Sequence, residues 1–444
     1  MHSSHRNYRI VSLVSCLTIL LAACSASTTP SHSNTSANAG ITTPINRGIT
    51  PISRATTTVT MPTTQTNCPP IGTARAMITA PLALGNHQNI IYTHNLGTYD
   101  SPGQSKILRY DAQTGHTVEL LSVANAQIFE AQVSTDGQWV LFVTTTGSAH
   151  RQSKLQVLRM DGLGLQTLYC TPDFGIRHML WSANQRLLAF YSVVNQQGIV
   201  YLLDVSSGRI QIVLTTPPKV GLVLRTWLDA SHLYISNTPL DTLFEYIYLL
   251  DIRKGAHQHL RDLQTIFFDQ YGDFDSSYDG SQLLMSHGGC PQGFCTGPSS
   301  ITVQTIPRGR QRTIYSSKVY DVIAVRVIDR ARILFMIGNT YDSNGVDDPS
   351  HNGLWKINID GSGLTRLLPI TAKQYSLLNY WTQDVWSNVS RDASMYVLQV
   401  NGFHGFTETD ALYVGSLNRS SNIAKAFVTT TDGSQLVMAG WTMM

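Results

Sequence analysis

Apolar residues along this chain fall in short runs at period two, broken by polar turns, and no apolar i, i+3, i+4 stripe persists for three helical turns. The stretch "STDGQWVLFV" (134–143) sets an Asp-Gly turn before a run of strand formers, and Asp-Gly supplies the left-handed backbone that a tight hairpin turn needs. Variants recur as "WSANQRLLAF" from Trp181, "WLDASHLYIS" from Trp227, "SYDGSQLLMS" from Ser277, "SRDASMYVLQ" from Ser390 and "TTDGSQLVMA" from Thr430. Single hairpins are local events, whereas a hairpin repeated along the chain predicts a repeat architecture.

Between these turns lies a second recurrent unit of strand, polar turn and strand. Its copies begin at Ile107 ("ILRYDAQTGHTVELL"), Leu155, Ile199, Tyr246 ("YIYLLDIRKGAHQHL"), Ile301, Leu354 and Ala411, with starts 44 to 57 residues apart. Six of the seven turns carry a glycine, and Asn418 and Asn422 are the nearest substitute in the last. The spacing is that of a four-stranded propeller blade. Each copy follows its own turn-and-strand segment, the first being "LALGNHQNIIYTHN" from Leu82. That leaves "TTDGSQLVMAGW" over at the end of the chain. A C-terminal strand completing the first blade explains the surplus and removes the exposed sheet edges. The expected fold is all-β, a seven-bladed β-propeller of four-stranded antiparallel blades, with the C-terminal strand closing the ring.

The pairing of W-S-x-D-G-x-x-L-A-F segments with L-x-x-x-D-x-x-G segments resembles the TolB-type propeller repeat, seen also in peptidase propellers. The resemblance runs from about Leu82 to Trp441. The proline before Asp-Gly that marks that family never occurs here, and several turns lack Asp or Gly. The N-terminal α/β domain of that family has no counterpart before Leu82. The likeness therefore implies the fold and leaves a TolB role in envelope complexes unsupported.

Upstream, "MHSSHRNYRIVSLVSCLTILLAAC" places Arg6 and Arg9 before an apolar run from Ile10 to Ala23, the layout of an export signal too short to span a membrane. It ends in "LAAC" (21–24), which resembles the lipobox of bacterial lipoproteins; that likeness implies cleavage before Cys24 and acylation of its thiol. Residues 25–67, rich in Ser, Thr, Asn and Pro and without apolar period, read as a disordered tether. The expected division is a signal peptide at 1–23, a tether at 24–67 and the propeller at 68–444. The expected location is outside the cytoplasm, on the bacterial membrane, facing the exterior or periplasm.

Composition agrees with an exported β-protein. Charged residues make up 13% of the 444, and a net charge of +3 is too small to argue for nucleic acid or an anionic membrane surface. Beyond Cys16 and Cys24 there are four cysteines. In an oxidising location a disulfide between Cys290 and Cys295 in "HGGCPQGFC" is expected ahead of a metal site with His287, and Cys68 with Cys170 would tie the tether's end to the ring. No cofactor is implied. Asp342, Asn344, Asp347, Asp348 and His351 in "YDSNGVDDPSHNG" offer oxygen ligands for Ca²⁺ as an alternative, at spacings unlike an EF-hand loop.

Asp136, Asp279 and Asp432 are expected as turn formers and Trp139 and Trp181 as packing between blades. No G-x-S-x-G elbow occurs, and the ring leaves no room in this chain for an α/β-hydrolase domain. The longer, more varied loops are expected on the face opposite the Asp-Gly turns. They place His287, Asp342, Asp348, Tyr380, Trp381, His404, Phe406 and Glu408 in the fifth to seventh blades as candidate ligand-binding residues. The function expected is a monomeric, lipid-anchored, non-catalytic envelope module that binds a protein, peptide or glycan, with a glycan-acting propeller enzyme of glycosidase or lyase type as the alternative.

Overall fold

The computed structural model describes residues 67–70, 82–83, 85–97, 101–146, 152–172, 175–218, 220–237, 244–270, 273–277, 282–287, 299–305, 310–318, 320–338, 351–369, 389–401, 410–418 and 424–444. They form seven antiparallel sheets. Blade 1 contains β1 (Gln88–Gly97), β2 (Pro102–Asp111) and β3 (Thr117–Ala124). Blade 2 has β4 (Ala126–Val133), β5 (Trp139–Thr146), β6 (Gln152–Arg159) and β7 (Gln166–Pro172), and blade 3 has β8 (Ile176–Trp181), β9 (Leu187–Val194), β10 (Gln197–Asp204) and β11 (Ile210–Pro218). Blade 4 follows with β12 (Val223–Trp227), β13 (His232–Asn237), β14 (Phe244–Asp251) and β15 (Gln264–Gln270). Blade 5 has β16 (Phe274–Ser276), β17 (Gln282–His287), β18 (Ser299–Thr305) and β19 (Gln311–Ser317). Blade 6 has β20 (Asp321–Val327), β21 (Arg332–Gly338), β22 (Gly353–Asn358) and β23 (Thr365–Pro369). Blade 7 has β24 (Met395–Asn401), β25 (Asp410–Ser416) and β26 (Lys425–Thr430), with a single bridge from Val389 to Tyr396 on its inner edge.

The last strand, β27 (Gln435–Met443), pairs with β1 and so becomes the innermost strand of blade 1. The expected ring closure is present, and with it the seven-bladed fold. The inner strands touch in sequence, β27 to β4, β4 to β8, β8 to β12, β12 to β16 and β16 to β20, so they line the axis of the ring. Seven apolar clusters fill the seven interfaces between neighbouring blades. Trp139 and Trp181 both belong to the cluster between blades 2 and 3, as expected of packing residues. Truncating a side chain such as Trp139, 1% exposed, costs about 3–5 kcal/mol.

Inner strands have one unpaired edge, and a recurrent device covers it. A polar side chain of one blade hydrogen-bonds the inner strand of the next. Asn95 caps both the N–H and the C=O of Ile128, Gln132 accepts from the Trp181 N–H, and Asp410 accepts from the Leu436 N–H. Asp273 and Asp275, on the chain entering blade 5, accept from the Val325 and Val327 N–H groups of blade 6.

Two expectations on strand placement are corrected. In blade 4 the outer strand is Gln264–Gln270 rather than the "HQHL" segment. The Asp251 carboxylate accepts from the Arg253 N–H and starts a 3-10 turn at Ile252–His257, followed by another at Leu260–Asp262. This insertion lays Ile252, Leu260 and Leu263 on the apolar cluster between blades 3 and 4. The second correction concerns Asp432-Gly433, which joins β26 of blade 7 to β27 of blade 1. It is a crossing between blades and lies on the face opposite Asp136-Gly137, because the closing strand moves to a new blade before it pairs. Among the described residues no helix is long and apolar enough to cross a membrane.

Candidate functional site

Alternation of strand direction gives the ring two unlike faces. One carries the turns from first to second and from third to fourth strands. Apart from the blade 4 insertion, those among the described residues are short and closed by side-chain hydrogen bonds. The Ser134 hydroxyl donates to Asp136 (2.6 Å) and accepts from the Trp139 N–H (3.0 Å), and Ser390 with Asp392 (2.6 Å) and Ser182 with Asn184 (2.8 Å) repeat the pattern. In the third-to-fourth turns Asp111 and Asp204 accept backbone N–H groups two and three residues on. Asp136 and Asp432 make the hydrogen bonds of turn formers; Asp279 lies outside the described residues.

The opposite face receives the second-to-third connections and the crossings. Its longest second-to-third connections are 288–298, 339–352 and 402–409, in blades 5, 6 and 7. Of the eight candidate ligand-binding residues only His287 is described. It ends β17 on this face, with its Nε2 2.8 Å from the Thr302 hydroxyl and 3.2 Å from the Gln311 amide, both of its own blade. Asp342, Asp348, Tyr380, Trp381, His404, Phe406 and Glu408 lie outside the described residues, as do Cys24, Cys290 and Cys295. The strands that bound their segments end on the loop face. From the acid-rich segment, His351 is described and stacks on Tyr320 at 4.0 Å. Cys68 and Cys170 are joined as a disulfide with Cα atoms 5.7 Å apart, which attaches the chain at Cys68 to the outer strand of blade 2. Among the described residues no group of three His, Cys, Asp or Glu side chains could hold a metal.

A second concentration of chemistry was not anticipated from sequence. Five inner strands break register by one residue, at Phe129, His178, Arg225, Ile323 and Ala439. Such a bulge turns its side chain out of the ladder. In blades 3 and 4 the bulged residues are His178 and Arg225, and in blade 2 Glu130 follows the bulge. His178 adopts φ 48°, a left-handed conformation costly for a non-glycine residue, and its Nδ1 is 3.7 Å from Glu130 Oε1 of blade 2. Burial lowers the His178 pKa; Glu130 opposes this, while Arg225 of blade 4 and neighbouring Arg177 add to it, so the imidazole is neutral at neutral pH. Arg225 is held by the Ser236 hydroxyl (2.8 Å) and by the Phe274 ring, 5.4 Å from its guanidinium carbon. The sequence signal was a charge within each short apolar inner strand, "AQIFEAQV", "IRHMLW" and "VLRTW", which only the ring brings into one place.

On the far side of the axis, Asp275 is buried against blade 6 beside Asp273 and Arg326, which are ion-paired. Burial pushes its carboxyl up to about 7, against the opposing effects of Arg326 and two backbone N–H donors.

Comparison with known proteins finds no family. No family model matches, and no curated protein matches. Among solved structures, TolB from Acinetobacter baumannii is 12% identical over 79% of this chain and 81% of its own, with a TM-score of 0.40. An oligogalacturonate lyase from Vibrio parahaemolyticus is 12% identical over 74% and 91%, with a TM-score of 0.49. The acylaminoacyl peptidase of Pyrococcus horikoshii is 12% identical, and 80% of this chain corresponds to 52% of that enzyme at a TM-score of 0.48. These neighbours are TolB-like and other propellers, and at such identities none bears on what this chain does.

Proposed function

We propose that the chain is a lipid-anchored, non-catalytic binding module of the bacterial cell envelope that uses the loop face of its propeller to hold a protein, peptide or glycan. The observation that carries this reading is the inequality of the two faces. Apart from the blade 4 insertion, one carries short turns whose polar side chains bond within the turn itself. The other receives the long connections of three adjacent blades, and recognition concentrates on varied loops over a rigid frame. Anchoring rests on the "LAAC" segment alone. Fatty-acid labelling tests it: the wild-type chain takes up label and Cys24→Ala does not. For binding, the full chain is used to capture partners from envelope extracts. Capture that survives replacement of 339–350 and 402–409 by short Gly-Ser linkers overturns the assignment to the loop face.

A glycan-acting propeller enzyme remains the alternative, favoured by one observation, the part-exposed Glu130–His178 pair between the inner strands of blades 2 and 3. Turnover of a polysaccharide by the wild-type chain, abolished in His178→Gln, would establish it in place of the binding module.

A further inference from the structure

We propose that the contact between β16 of blade 5 and β20 of blade 6 is a pH-sensitive joint, held closed while Asp275 carries a proton and loosened when it ionises. The inference does not depend on what the loop face binds. The two blades carry the connections 288–298 and 339–352, so release here changes the frame under that part of the loop face.

This joint is built unlike its neighbours. β16 has three residues, where the other strands have five to ten, and it pairs with β17 through three positions. So short a ladder holds the strand weakly, and side chains supply the rest. Two carboxylates, two residues apart, grip the inner edge of β20: Asp273 accepts from the Val325 N–H (3.0 Å) and Asp275 from the Val327 N–H (2.8 Å). Asp273 is fastened further. Its N–H donates to the Ser286 hydroxyl (2.8 Å), its carbonyl accepts from the Ser286 N–H (2.8 Å), and its carboxylate pairs with Arg326. Asp275 has no such cation. Its second oxygen accepts from the Ser276 N–H (2.7 Å), and it makes no ion pair among the described residues.

Asp275 is 1% exposed, and a carboxylate so placed loses its hydration and favours the neutral form unless a charge answers it. Asp273, on the same segment, is a like charge and favours the proton; Arg326 of β20 opposes it while bonded to Asp273. From β12, Arg225 lies over the Phe274 ring, 5.4 Å from its centre. Opposite β16 stand Leu283, Leu284 and Met285 of β17, and His287 at the end of that strand bonds Thr302 (2.8 Å). Burial prevails and pushes the Asp275 carboxyl up to about 7. An opened joint returns it to water and to the ordinary value of 3.8, so between about pH 4 and 7 the closed joint holds a proton that the open one has lost. Closure weakens across that interval and changes no further above it.

Amide hydrogen exchange reads local opening of this kind. Deuterium uptake of the full chain, followed by mass spectrometry of peptic peptides and corrected for the intrinsic pH dependence of exchange, is compared at about pH 5 and about pH 7.5. Protection of β16 and β20 is expected to fall by about tenfold or more over that step, leaving them less protected than β5 of blade 2. In Asp275→Asn their protection is expected to be the same at both pH values. Wild-type protection of β16 and β20 that does not change over the step overturns the proposal. So does a loss that leaves them as protected as β5, which is opening of the whole ring, or a loss that persists in Asp275→Asn, which belongs to another group.

Discussion

Arg391, in the first turn of blade 7, donates to the carbonyl oxygen of Ser134 in the first turn of blade 2 at 2.7 Å, across 257 residues of chain. The same guanidinium reaches the Thr135 carbonyl (2.5 Å) and the Trp441 carbonyl of β27 (2.7 Å). Blade 1, which lies between, has no turn of its own here. Its first two strands are the last and first of the ring, so no hairpin joins them as in the other blades, and the Met444 N–H meets the His87 carbonyl at 3.1 Å. Arg391 spans this discontinuity.

Removing that link weakens the ring where it is joined. Arg391→Gln is expected to destabilise by about 2 kcal/mol, since one charged donor group serves three backbone acceptors. Arg186→Gln, which breaks an ion pair with Asp204 at an arginine side chain 67% exposed, is expected to change stability by less than about 0.5 kcal/mol. Urea unfolding compares the two, and equal effects would refute the role of Arg391.

Turn substitutions have opposite signs at equivalent positions. Gly137 has φ 74°, and a Cβ there would lie 3.1 Å from the Arg391 guanidinium carbon and from the Thr442 hydroxyl. Gly137→Ala is expected to cost about 1 kcal/mol or more. Gln185 and Ala393 occupy the same turn position with φ 56° and 55°. Gln185→Gly and Ala393→Gly are therefore expected to be neutral or stabilising by up to about 1 kcal/mol. Thermal unfolding midpoints decide, and destabilisation by both glycine variants contradicts the account.

Asp275 makes stability fall as pH rises. Its folded pKa of about 7 exceeds the ordinary value of 3.8, so the folded chain retains a proton that the unfolded chain loses. The contribution is complete below about pH 4 and lost as pH passes through 7, a change of up to about 4 kcal/mol at 1.36 kcal/mol per pKa unit. Asp275→Asn keeps an oxygen for the Val327 N–H and carries no charge. It is expected to be more stable than wild type at pH 8 and close to it at pH 4. A wild-type-minus-variant difference that is flat over this range rules the explanation out.

Reduction should expose the value of the Cys68–Cys170 bond. It spans 102 residues of sequence, for which loop-closure entropy gives about 4–5 kcal/mol. Cys170→Ser is expected to lower the unfolding midpoint to that of the reduced wild type, and reductant should have no further effect on the variant. Unreduced peptide mapping reports in the same experiment on Cys290 and Cys295.

The repeat was legible because hairpins are written locally. A Ser, an Asp or Asn two residues later and a left-handed residue after that close a turn with contacts inside six residues, as at Ser134–Trp139, and strand alternation follows from period two. The third strand of every blade, the fourth strand of every blade but blade 4, the surplus strand and the ring that accommodates it were therefore contained in the order of residues. Local chemistry also identified Trp139 and Trp181 as packing residues. Tertiary structure alone decided which hairpins cross between blades, and so put Asp432 on the opposite face from Asp136, since identical turns serve both connections. It also decided where charges meet. Glu130, His178 and Arg225 are 48 and 47 residues apart in sequence, and Asp275 and Arg326 are 51 apart. Their proximity, the lowered imidazole pKa and the raised carboxyl arise only when the inner strands stand side by side around the axis.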